Sequence, residues 1–132
     1  MKEITYEGEI LARHVTAGSW NDGLAFFSKD DEYIQVGTWK YNKGKDLLAH
    51  IHNVVERKID RTQEVVFIVN GSIEAKIYSL DGVLRETFIA NKGDFLILLN
   101  CGHGYKILQD DTQVLEIKNG PYFGAETDRK RI

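Results

Sequence analysis

A rhythm of short apolar runs, each closed by a turn-forming pair, constrains this chain more than any other feature. EVVFIVNG (64–71) is a nearly continuous apolar run ending in Asn-Gly, a turn signal. SIEAKIYSL (72–80) alternates, with Ile73, Ala75 and Ile77 on one face. Asp81-Gly82 turns the chain, and VLRETFIA (83–90) reads as the return strand. NKGD (91–94) turns again before FLILLN (95–100), and YKILQ (105–109) and QVLEIKNG (113–120) close the series. Upstream, YIQVGTWKY (33–41) is rich in β-branched and aromatic residues, NKGKD (42–46) is turn-like, and LLAHIH (47–52) is a further candidate strand. Short strands at this spacing predict an all-β sandwich or barrel, with Trp39, Tyr41 and Phe67 in its core. Residues 1–32 are expected to add one or two edge strands, 33–120 to form the body, and 121–132 to be a charged tail.

A chain of 132 residues suits one domain, and 42% apolar residues suffice for a core. The net charge of −3 and scattered basic residues argue against a nucleic-acid partner. No apolar run reaches the roughly 18 residues of a membrane helix. MKEITYEGEI carries no apolar signal region, and the single cysteine, Cys101, has no intrachain disulfide partner, so a reducing cytoplasm is the expectation.

Three of the four histidines fall at informative places. His50 and His52 are two apart, so on a strand they point the same way and their imidazoles can share one ion. Glu64 lies on the face of Val66 and Ile68 and can approach them if that face is the interior. His103 follows the apolar run 95–100, within NCGHGY. Three imidazoles and a carboxylate suit Fe, Mn, Ni, Co or Zn. The bland alternative is a polar pair on the solvent face of an edge strand.

Glu56, three residues after His52, competes with Glu64, but VERKIDR is too polar for a core strand. His14 has no partner in the pattern and is expected at the surface. Cys101 reads as a small buried residue rather than a reactive thiol. Tyr105 shares a face with His103 and offers a phenol. Glu116 and Lys118 form an acid/base pair if they face inward and a surface ion pair if they do not. Gln35 binds substrate if its strand parity points it inside. Arg57, Lys58 and Arg61 are either a solvated loop or a lid for an anionic substrate, with Arg57 and Arg61 the substrate-binding candidates.

The spacing resembles the first motif of the cupin superfamily, G-x5-H-x-H-x3,4-E-x6-G. Gly44, His50 and His52 match its start, and Glu64 and Gly71 match its end. Eleven residues separate His52 from Glu64 where the family has three or four. In the second motif Gly93 and His103 match, while Leu99 stands where the family has proline, the stretch is one residue short and the final Asn is missing. The resemblance covers about residues 33–120. It implies a single-domain, jelly-roll β-barrel, usually a homodimer, holding one divalent transition metal per chain on His50, His52, Glu64 and His103. More narrowly, TQEVVFIVNG, GHGYKIL and EIKNGPY look like small cupins associated with bacterial surface-polysaccharide gene sets.

The function expected on this resemblance is metal-dependent isomerisation or epimerisation of a small polar metabolite such as a sugar. The ion would polarise an oxygen while Glu116, Tyr105 or Lys118 moved protons. The alternatives are an Fe(II) dioxygenase and a non-catalytic sugar-binding module.

Overall fold

The computed structural model describes residues 1–132, and the chain is all-β with antiparallel sheets. The ten strands are β1 (Lys2–Tyr6), β2 (Glu9–Val15), β3 (Gly23–Phe26), β4 (Gly37–Lys40), β5 (Glu64–Asn70), β6 (Ser72–Tyr78), β7 (Leu84–Asn91), β8 (Phe95–Leu98), β9 (Gly102–Ile107) and β10 (Gln113–Lys118). One 3₁₀ turn (Ala17–Ser19) and one short helix, α1 (Ala125–Asp128), are the remaining elements. No helix is long and apolar enough to cross a membrane.

The strands form a five-stranded sheet in the order β1-β2-β8-β5-β10, a three-stranded sheet β7-β6-β9, and a two-stranded sheet β3-β4. The alternation of 72–80 works as expected. Ile73, Ala75 and Ile77 of β6 are fully buried and meet Val66, Ile68, Leu96 and Leu98 of the larger sheet in one core. Each Ile, Val or Leu side chain so withdrawn from water contributes roughly 1.5–3 kcal/mol.

A second cluster sits on the opposite face of the larger sheet. Val15, Val65, Phe95, Ile97 and Leu99 pack there against Phe27, Ile34 and Val36 of the segment before β4. Arg13 fastens that segment down. It is buried and pairs with Glu3 Oε1 at 2.9 Å and Glu32 Oε2 at 2.7 Å.

Three expectations about the strands change. The N-terminal residues give β1, an edge, but also β2, which lies inside the sheet between β1 and β8. LLAHIH forms no strand, and residues 41–63 contain no helix or strand at all. Of 33–41, only Gly37–Lys40 is a strand, and Trp39 and Tyr41 are exposed because β3-β4 pairs only with itself. Asn70-Gly71 turns the chain as expected, and carries it from one sheet to the other. Gly71 has φ +77°, and a Cβ there would strike Thr112, so glycine is required on both counts.

His14 is not a surface residue. Its Nε2 lies 3.0 Å from Asp94 Oδ2, and its ring stacks on Phe88 with centroids 4.6 Å apart. Asp94 also accepts the backbone N–H of Ala17 at 2.9 Å and of Asn91 at 3.0 Å. One buried carboxylate therefore ties together the end of β2 and the Lys92-Gly93 turn.

Candidate functional site

The inward face of β5 begins with Glu64, followed by the core residues Val66 and Ile68. Its neighbour β10 places Lys118 opposite Glu64 and Glu116 opposite Val66, so both lie on the same face as Glu64, at the exposed edge of the sheet. On the other sheet, β9 sets His103 opposite Ile77 and Tyr105 opposite Ala75, again on the core side. Two ladders from two sheets thus bring Glu64, His103, Tyr105, Glu116 and Lys118 together.

Lys118 Nζ lies 3.2 Å from Glu64 Oε1 and 2.9 Å from Glu116 Oε1. His103 Nε2 lies 3.4 Å from Glu64 Oε2, and its ring centroid is 5.5 Å from that of Tyr105. Glu64 is buried, and its Oε2 has no hydrogen-bond partner; neither does the buried Nδ1 of His103. A buried polar atom without a partner costs about 1–3 kcal/mol, so these two mark a place where the fold gives up stability.

The electrostatics follow from this crowding. The bond to Glu116, with further help from Glu64, outweighs partial burial and raises the Lys118 ammonium pKa, so Lys118 stays charged. Burial first, and the charge of Glu64 second, push the Tyr105 phenol upward. The same two causes push the Cys101 thiol up to about 12. Cys101 is half-buried and packs against the edge of the core.

Of the four residues expected around a metal, the structure brings Glu64 and His103 together. His50 and His52 lie in the exposed 41–63 segment, stacked edge to face at 5.0 Å, with His50 Nδ1 3.3 Å from Leu48 O. No group of three His, Cys, Asp or Glu side chains gathers in a metal-binding arrangement. The orphaned Glu64 Oε2 and His103 Nδ1 are nevertheless a carboxylate and an imidazole with free lone-pair positions, which is the donor chemistry a first-row cation needs.

The substrate-binding candidates are dispersed. Gln35 is exposed, and its amide donates to Lys29 O at 2.7 Å and Glu32 O at 2.9 Å, so it staples its own loop. Arg57 is exposed and donates to Val55 O at 3.2 Å. Arg61 is engaged: its Nη1 donates to Asn100 Oδ1 at 2.8 Å, and its Nε faces Asp60 at 3.4 Å. It borders a cavity of about 460 Å³ with Asn100, Asn119, Phe123 and Asp128, none of which the motif pattern singles out. The available signal was positional: Asn100 and Asn119 each lie just beyond the end of a core strand.

No family model, curated protein or solved structure matches this chain.

Proposed function

We propose that the chain is a cupin-type barrel that binds one divalent transition metal and acts on a small polar metabolite, a sugar or sugar-derived acid, by isomerisation or epimerisation. The observation that carries this reading is the meeting of Glu64 and His103 from two sheets, with His103 Nε2 3.4 Å from Glu64 Oε2, while Glu64 Oε2 and His103 Nδ1 are each buried without a hydrogen-bond partner.

Closure of the barrel belongs to the same proposal. β9 and β10 each pair on one side only, so both leave a free edge beside the cluster. Residues 47–52 carry a strand pattern and lie exposed. Pairing that segment with one of these edges adds His50 and His52 to Glu64 and His103. The bound ion would supply Lewis acidity at a substrate oxygen.

The chain's own residues divide the remaining work. Lys118 stays protonated and anchors Glu64 through the 3.2 Å contact to its Oε1. Tyr105, its phenol raised, donates a hydrogen bond and does not act as a base. Glu116, bonded to Lys118 and the more solvent-exposed of the two carboxylates, is then the group that takes a proton. A homodimer is part of the reading; exposed Phe26 and Trp39 on the β3-β4 sheet are apolar surface a second subunit would cover.

The test is elemental analysis of untagged protein purified without chelator, beside His50→Ala and His103→Ala. The expected result is close to one metal per chain, lost in both variants. No metal in the wild type, and none taken up on adding Fe, Mn, Ni, Co or Zn, sinks the metalloenzyme and leaves a sugar-binding module.

A further inference from the structure

The cavity of about 460 Å³ lies between residues 59–62, the end of β8 with Cys101, and the C-terminal segment 119–128. Neither Glu64 nor His103 lines it, but Cys101 does, two residues before His103, so cavity and cluster adjoin. The volume falls in the range of small-molecule sites, roughly 300–1,000 Å³.

Its walls are braced by bonds between distant parts of the chain. Asn119 accepts the Gln63 N–H at 2.6 Å and donates to Arg61 O at 3.1 Å. Thr62 donates to Asp128 Oδ1 at 2.8 Å, which ties the end of α1 to the cavity wall. Asn100 accepts from Arg61 and donates to Glu9 at 2.7 Å. These bonds leave specific groups over: Nη2 of Arg61 and the Oδ2 atoms of Asp60 and Asp128. The hydrogen bond from Tyr33, then that from Arg61, holds the Asp60 carboxyl below the usual range, so it is charged. The apolar part of the wall includes Leu80, Leu99 and Phe123, a residue 70% exposed.

One guanidinium, already engaged, stands against two carboxylates. That balance repels a phosphate or carboxylate, and the guanidinium opposes an ammonium ion. A hydroxyl suits both, because it accepts from Arg and donates to Asp. A free aromatic ring completes the set by covering the C–H face of a sugar ring.

We infer that this cavity seats a neutral, hydroxyl-rich ring of monosaccharide size, with Phe123 against its apolar face and Arg61, Asp60 and Asp128 on its hydroxyls. The inference rests on the sugar-class substrate of the proposed function, but it is independent of the metal. It also reverses the expectation that Arg61 serves an anionic substrate.

The test is a titration of nitrogen-15-labelled protein, followed by amide chemical shifts, with the methyl glycosides of glucose, galactose and mannose. Glucosamine and glucose phosphate serve as charged competitors. The expected result is shifts confined to residues 59–62, 99–101 and 119–128 with at least one neutral glycoside. Phe123→Ala and Asp128→Ala, each with an otherwise native spectrum, should weaken binding by about tenfold, the loss of one good contact. Absence of shifts with all three glycosides overturns the inference. So do tighter binding of glucose phosphate or glucosamine, and shifts centred on Glu64 and His103 instead. His103→Ala separates the two proposals: it should abolish metal uptake and leave the glycoside shifts in place. Glycoside shifts without any metal would retain the cavity and defeat the enzyme; metal without glycoside shifts would do the reverse.

Discussion

EVVFIVN (64–70) and LLAHIHNVV (47–55) are both apolar, both suited to a strand, and each carries residues of the candidate site. The first lies between β8 and β10, and Val66 and Ile68 are buried in the core. Glu64 is therefore held by two ladders, with Leu98 on one side and Lys118 on the other. The second segment has no ladder, and Leu48 and Ile51 are 89% and 94% exposed. The contrast shows that β-propensity places a residue only when partner strands receive it. A functional side chain takes its precision from the pairing around it, so Glu64 and His103 are positioned and His50 and His52 are not.

The sharpest probe of this contrast is chemical. With its thiol at about 12, Cys101 should react with iodoacetamide at pH 8 on the order of a thousandfold more slowly than in the urea-unfolded chain. His50 and His52 should meanwhile modify readily with diethyl pyrocarbonate, followed by peptide mass spectrometry, and His103 slowly. Rapid alkylation of Cys101 in the folded protein would mean that the cluster is open.

Next in size are paired truncations measured by urea denaturation. Leu96 is fully buried in the main core, and Leu96→Ala should cost about 2–5 kcal/mol. Ile51→Ala should stay within about 0.5 kcal/mol, as exposed substitutions do. A cost above about 1.5 kcal/mol for Ile51→Ala would show that the segment packs as a strand, the closure that the proposed barrel requires.

The smallest effect concerns acid. Burial alone would raise the Asp94 carboxyl, but the N–H groups of Asn91 and Ala17, together with His14, outweigh it and lower the pKa. A carboxyl lowered in the folded state contributes stability above its unfolded value of about 3.9, and that stability is lost as pH falls through the folded value. Urea midpoints should therefore fall between about pH 5 and pH 2, by an equivalent of about 1–3 kcal/mol. In Asp94→Asn this part of the profile should be flat. An unchanged slope in that variant would place the acid sensitivity elsewhere, with Arg13, Glu3 and Glu32 as the next groups to examine.

Much of the strand pattern from 64 to 118 was legible, because alternation and turn glycines are local properties. Gly71, Gly82 and Gly93 all adopt the positive φ that their turns demand. The inward direction of Tyr105 also followed from parity with His103. The pairings were not legible, because they join residues far apart in sequence. Nothing near His14 announces Asp94, eighty residues away. Nothing in QVLEIK says that Lys118 will face Glu64 and not solvent. The cavity beside Arg61 is likewise assembled from three distant stretches, each unremarkable alone.

The period of two and the turn chemistry thus established the class of fold, since each depends on neighbours within a few residues. Which strand lies beside which, and so which polar groups share the interior, was settled by long-range burial and ladder pairing. A one-residue change of register sends every side chain of a strand to the other face, and only the assembled core penalises the wrong choice.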